Sequence, residues 1–338
     1  MTRTDTLTAN LRRRRLIAGA GAALALPAVA GASARPLAIG ALPVTCNLTL
    51  PVACEARAAS RAPGRRFEFS KYGGFPEVKE SLMTGRIDAA YLLAPLVMDL
   101  VDSRIPLKIV SLGHRSGAVI MVRSDSAHRR FADLKGKRVA IPSRFAVDYL
   151  FLRKMLAREG MNVRDIEVVE LSPPDMPAAL YAKAVDAYCT GEPFGVVAQR
   201  AGYARPLSMT REHWRNYICC VLTVREDLIR TERALVQDLV NYVQAAGSWL
   251  DAAASHRDKA VRIAASRRYF NQDPNILRFV MNNPHDRVTY GDLRMLRPEF
   301  DELMQLSVEA RTLKRPIAYE RYVDDSFVRA LKPVTLAL

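Results

Sequence analysis

The sequence predicts an α/β protein built on open, largely parallel sheets, and three observations carry that prediction. Short apolar runs alternate with longer segments of helical spacing over most of the chain, the order that βαβ units leave in a sequence. The junctions between them hold Gly, Pro, Ser or Thr, residues that end helices and start turns. The chain is 338 residues long and 49% apolar, enough to bury the core of one large or two medium domains.

The clearest single unit is Ala187–Arg200, AYCTGEPFGVVAQR. A buried strand, Val185–Cys189, runs into Thr190-Gly191-Glu192-Pro193, and a helix follows. Gly191 supplies a tight turn, and Pro193 suits the first helical position, where its missing N–H costs nothing. Glu192 stands just ahead of the helix, where backbone N–H groups and the dipole favour negative charge. A strand end, a polar elbow and a helix N-terminus together make the ligand-binding corner of an open α/β sheet.

The other elements follow in order. Pro36–Leu42 reads as the first strand, and a helix begins near Thr45 or Asn47, with Thr45 its candidate N-cap. Phe67–Ser70 is the second strand, Lys71-Tyr72-Gly73-Gly74 a turn and Phe75–Thr84 a helix. Gly85 then fits a C′ position ahead of a buried strand, Ile87–Leu93, and Ala94-Pro95 opens the next helix. Leu107–Leu112 and Ala118–Val122 are strands joined by a loop that holds His114. Ser143 caps a helix at Val147–Glu159, and Arg144 stands at that helix N-terminus. There it suits an oxyanion, or pairs with Asp148 four residues on. Ile166–Leu171 and Ile218–Val224 are further strands, and Pro177–Lys183 a helix. Beyond Leu228 the spacing is helical: Ala234–Ala253, His256–Arg267, Pro274–Asn282, Glu299–Arg311 and a last helix at Ala318–Ala330.

Arg12–Arg15, the apolar run Leu16–Ala30 and Ala32-Ser33-Ala34 describe an export signal over residues 1–34. Paired arginines directly before Leu16-Ile17 point to the twin-arginine route. The run is too short and too rich in Ala and Gly for a good membrane span. The formal charge is +15. Residues 1–34 hold five arginines against Asp5, so the mature chain carries +11. Basic residues are scattered, no nucleic-acid-binding motif occurs, and nucleic acid is not an expected partner. No nucleophile elbow, HExxH, P-loop or GxGxxG occurs, the five histidines lie far apart, and no enzyme activity is expected.

Several strings resemble the nitrate/sulfonate/bicarbonate group of ABC-transporter solute-binding proteins, which includes taurine-like and NMT1-like members. Cys189–Phe194 resembles the group's CxGEPW element, with Phe194 in place of Trp. Leu42-Pro43-Val44-Thr45 resembles its LPxT loop, and Leu82–Ala90 its LxxGxIDAA string. Leu93-Ala94-Pro95, Asp133–Ala140 (DLKGKRVA), Pro173-Pro174-Asp175-Met176 and Arg225–Leu228 match further elements, so the resemblance runs over about Leu37–Leu228. It implies the type II periplasmic binding protein fold, two α/β lobes on a hinge of two crossovers. Lobe 1 is then 35–115 and 224–338, and lobe 2 is 116–223. It also implies a monomeric periplasmic receptor that closes on a small solute and serves ABC permease subunits in the membrane.

The residues placed at the cleft by this reasoning are Thr45, Cys46, Asn47, Tyr72, Ala94, His114, Ser143, Arg144, Phe145, Glu192, Phe194 and Tyr217. The group's lysine position before the strand after Trp214 reads Asn216-Tyr217 here, and its His/Asn-bearing stretch reads Ser143–Asp148. These departures argue against nitrate and bicarbonate themselves and favour another small anion, a sulfonate, cyanate or thiocyanate, with Arg144 as counter-charge. The five cysteines are an odd number in an oxidising compartment. Cys46 and Cys54 stand about 12 Å apart by helical rise, too far to bridge. Cys219 and Cys220, adjacent on a strand, should face opposite ways. Cys46, His114, Cys189 and Cys219 form the candidate set for a soft metal such as Cu(I), the alternative to an anion. No cofactor is otherwise expected. A third reading is a neutral heterocycle of the pyrimidine-precursor type stacked on Tyr72, Phe145 or Phe194.

Overall fold

The carboxyl ends of two five-stranded sheets face each other, and that arrangement positions everything described below. The structure is a computed structural model that describes residues 35–214 and 217–338. Residues 1–34, expected to be an export signal, and Asn216 lie outside the described residues.

In chain order the first lobe opens with β1 (Leu37–Ala41), α1 (Thr49–Ala59), β2 (Phe67–Lys71), α2 (Phe75–Met83), β3 (Ala89–Leu93), α3 (Ala94–Asp102) and β4 (Leu107–Leu112). A short strand, β5 (Arg115–Ser116), leads into the second lobe. That lobe holds β6 (Ala118–Arg123), β7 (Arg138–Ile141), α4 (Val147–Arg158), β8 (Glu167–Glu170), α5 (Met176–Tyr181), β9 (Ala187–Gly191), α6 (Phe194–Arg200), β10 (Ala204–Met209) and α7 (Thr210–His213). The chain returns through β11 (Cys220–Arg225), α8 (Glu226–Thr231), α9 (Arg233–Ala252), α10 (Ala254–Ala265), α11 (Pro274–Asn282), β12 (Val288–Thr289) and α12 (Arg297–Glu309).

The first sheet has the order β2-β1-β3-β11-β4 and the second β10-β6-β9-β7-β8. In each, one strand next to the crossover runs antiparallel to its neighbours: β11 against β3 and β4, and β6 against β9 and β10. β3 is buried along its whole length, which is why it reads as an uninterrupted apolar run rather than an alternating one. Gly85 ends the helix before it at φ 72, the left-handed conformation expected at C′.

Four expectations change. β11 belongs to the first sheet, so the chain re-enters lobe 1 before Cys220 and not at 224. β10 was not expected, because Pro206 interrupts the strand pattern. It lies at the sheet edge with a register shift between Pro206 and Ser208, where a missing N–H is tolerated. Ala318–Ala330 is not one helix but two single turns, α13 (Tyr319–Tyr322) and α14 (Ser326–Arg329), parted where Val323 bridges to Ile109 of β4. Gly191 ends β9 without positive φ. Its requirement is space, since a Cβ there would stand 3.1 Å from Cys46 Sγ.

Candidate functional site

β1 and β9 both end at the gap between the lobes, and the residues that follow them meet there. The Thr45 backbone N–H and hydroxyl both donate to the Glu192 carbonyl, at 2.9 and 3.0 Å. Tyr290 donates to the Thr45 carbonyl at 2.7 Å. The Glu192 carboxylate accepts from the Val196 N–H at 3.0 Å, as the helix start requires, and from Arg287 Nη1 at 2.6 Å. Glu192 is fully buried and the Arg287 side chain 4% exposed, so this is a dry ion pair between lobe 2 and the C-terminal part of lobe 1. Burial pushes the Glu192 carboxyl up, and Arg287 opposes that shift.

Buried polar atoms with no hydrogen-bond partner among the described residues include Asn47 Oδ1, His114 Nδ1 and Thr190 Oγ1, and the Tyr217 side chain faces the Asp148 carboxyl. They come from both lobes and both crossovers. A buried polar group without a partner costs about 1–3 kcal/mol, so each of these atoms is a candidate contact for a bound solute. Asp148 is 2% exposed, and burial raises its carboxyl to about 7, despite offsetting hydrogen bonds. Burial lowers His114 to about 4, so its ring is neutral at physiological pH. Thiols line the rest. Cys189 Sγ lies 3.3 Å from the Asp148 carbonyl and Cys219 Sγ 3.9 Å from Asp148 Oδ2. Cys46 is 2% exposed, and burial raises its thiol far above the usual range.

Thr45, Cys46, Asn47, His114, Glu192 and Tyr217 are thus brought together at the lobe junction. Ala94 is buried beside them, its N–H bonded to the Cys219 carbonyl at 3.1 Å. Ser143 accepts from the Phe145 N–H at 3.2 Å, a local turn contact. Tyr72 and Phe145 are half-buried against the core. Arg144 stands apart from the floor. It is half exposed and pairs with Glu170 at 3.4 Å rather than with Asp148, because Asp148 points into the dry interior. Phe194 lines a separate apolar groove of about 760 Å³ with Pro174, Pro177, Tyr181 and Ile276. A cavity of about 520 Å³ lies at the cleft mouth between Gly73–Glu77 and Glu170–Asp175, where Ser172 donates to the Gly73 carbonyl at 2.8 Å.

Cys219 and Cys220 do not face opposite ways. Their sulfurs lie 3.8 Å apart. Side-chain alternation holds only inside a strand, and Cys219 precedes the first residue of β11. His114 and both thiols place donor atoms within 4.8 Å of one another, while Cys46 and Cys189 stand outside that trio. All five thiols are free. Sequence reasoning missed Arg287, Tyr290 and Thr190 as site residues and read Asp148 only as a partner for Arg144.

Residues 30–265 match the NMT1-like family. Over 279 residues the chain is 24% identical to the nitrate/nitrite binding protein NrtA of Nostoc sp., an alignment covering 76% of this chain and 62% of that protein. The chain therefore spans less than two thirds of that curated relative. The ligand-binding component of an ABC-type import system from Staphylococcus aureus, solved with zinc bound, superimposes at a TM-score of 0.80 and 25% identity, over 88% of this chain and 99% of that one. The alkanesulfonate-binding protein SsuA from Xanthomonas axonopodis pv. citri, bound to MOPS, superimposes at 0.72 and 21% identity, over 86% and 98%. The two-lobed fold of these binding proteins is the fold of this chain. Among the described residues no helix is long and apolar enough to cross a membrane.

Proposed function

The chain belongs to the NMT1-like family, and we propose that it is the solute-binding component of an ABC importer, exported to the periplasm by its twin-arginine leader. It acts as a monomer, without covalent chemistry, by closing two lobes on a small solute and presenting the closed form to membrane permease subunits. The observation that carries this reading is the set of buried polar groups on Asn47, Asp148, Thr190 and Tyr217, drawn from both lobes and the second crossover. A solute that pairs with them stabilises only the closed arrangement, and that difference is what a closure signal requires.

The solute class is a small anion, of the kind the nitrate- and sulfonate-binding relatives take. Cyanate and thiocyanate fit this floor better than a sulfonate. Arg115, Arg144 and Arg287 are each committed to a carboxylate, on Glu299, Glu170 and Glu192, so a polyoxygen anion finds no free guanidinium among these three. A linear anion needs fewer donors, and the floor offers the Thr190 and Tyr217 hydroxyls and the acid form of Asp148. An anion and an ionised Asp148 exclude each other, so binding weakens as pH rises through about 7. The test is calorimetry with nitrate, bicarbonate, cyanate, thiocyanate and a short alkanesulfonate at pH 6 and pH 8. Saturable binding that is tighter at pH 6 supports the proposal. Binding that tightens at pH 8, or no binding by any of the five, contradicts it.

A further inference from the structure

The hinge itself carries a second feature that a solute receptor of this kind does not need. His114 closes the first crossover segment, between β4 and β5. Cys219 and Cys220 sit where the second crossover enters β11. All three side chains are buried, His114 completely and the two cysteines 4% and 2% exposed. An imidazole nitrogen and two sulfurs from sequence positions over 100 apart lie within 4.8 Å of one another. His114 Nδ1 has no partner among the described residues, and the ring's other nitrogen takes only a long bond, 3.4 Å, from the Cys220 N–H.

We propose that His114, Cys219 and Cys220 form a binding site for a soft d¹⁰ metal ion, Cu(I) in the first instance, which ties the two crossovers together. The proposal goes beyond the solute reading and does not depend on it. Two thiolate sulfurs bound about 2.3 Å from one metal at a trigonal or tetrahedral angle stand about 3.8–4.0 Å apart. The Cys219 and Cys220 sulfurs are 3.8 Å apart, already at the ligating separation. Thiolate and imidazole donors select Cu(I) and Zn(II) over hard cations. Three protein donors complete a trigonal Cu(I) site, whereas zinc calls for a fourth ligand. Each coordinating thiol gives up its proton to solvent on binding. Because the donors are buried, loading takes place with the lobes open or before export of the folded chain. A metal that bridges both crossovers stiffens the hinge.

The test uses the full mature chain, reduced and kept free of oxygen, with Cu(I) delivered from a chromophoric chelator. The proposal expects a single copper retained per chain and an X-ray absorption spectrum with mixed sulfur and nitrogen ligation. It also expects loss of the copper in Cys219→Ser and in Cys220→Ser, weaker retention in His114→Gln, and no change in Cys54→Ser, whose thiol lies in α1 outside the trio. Slower hydrogen exchange at 113–117 and 217–220 on loading supports the bridging role. The same titration with zinc decides between the two metals: zinc retained by the same three residues keeps the site and reassigns its ion. Wild-type protein that surrenders both metals to the chelator overturns the proposal, whatever the variants do. So does natively exported protein whose intact mass shows Cys219 and Cys220 joined as a disulfide. A solute that binds metal-free protein as tightly as loaded protein leaves the solute reading standing by itself.

Discussion

Asp148→Asn should remove the loss of folding stability that Asp148 causes between about pH 4 and pH 8. The Asp148 carboxyl titrates near 3.8 in an unfolded chain and is raised to about 7 in the fold, chiefly by burial. The native state therefore holds its proton over a range in which the unfolded state has lost it. Stability from this residue is full below about pH 4, falls as pH rises, and reaches its lowest level above about 7, where both states are ionised. At 1.36 kcal/mol per pH unit, the cost on the alkaline side is about 4 kcal/mol. Asparagine keeps the shape and removes the charge. Wild type and variant should match within about 1 kcal/mol near pH 4, and the variant should be the more stable by up to about 4 kcal/mol at pH 8. Glu192 and Glu299 also have raised carboxyls, but they titrate in both proteins and cancel in the difference. The assay is urea unfolding followed by circular dichroism across that pH range. Parallel curves for the two proteins would refute the reasoning, since they would mean that Asp148 is hydrated or paired in the interior.

Two further outcomes follow from the same structure, and a third from the sequence of residues 12–15. Glu192→Gln leaves the Arg287 charge buried without its partner, and urea unfolding should show a loss of about 3–5 kcal/mol, partly recovered by adding Arg287→Met; a loss below about 1 kcal/mol would mean that the pair is wet. Arg144→Ala removes only an exposed pair with Glu170, so calorimetry of the bound anion should show a change within about 1 kcal/mol, and a larger loss would restore Arg144 as the counter-charge. Replacing Arg12–Arg15 by lysines should hold the precursor inside the cell if the twin-arginine route operates, whereas a general secretory leader would tolerate it; cell fractionation reads the result.

The sequence carried the parts of this molecule that depend on local pattern. The apolar runs at β1, β3 and β9 and the glycine after α2 announced themselves, because burial on both faces and positive φ leave marks on neighbouring residues. Glu192 was visible because a carboxylate ahead of a helix start is a local motif. Its partner was not. Arg287 lies 95 positions away in a segment whose spacing says only that helices surround it, and nothing local marks a residue that reaches across a lobe junction. Asp148 was hidden for a different reason. It sits four residues after Arg144 on a helix, where the exposed ion pair is the simplest explanation, and only the packing of α4 shows that the carboxyl turns inward and Arg144 takes Glu170 instead. Cys219 and Cys220 misled because alternation was applied one residue beyond the strand. That single residue separates two thiols on opposite faces from two sulfurs within ligating distance.

The central claim, capture of a small anion at the floor shared by both lobes, is tested most directly by native mass spectrometry of the protein recovered from cells that express residues 1–338. The spectrum should contain a population that carries a small non-covalent anion, and the double substitution Asn47→Leu with Thr190→Val should abolish that population while leaving the folded charge-state envelope unchanged. Full retention of the anion by the double variant would place the solute somewhere other than this floor and contradict the account.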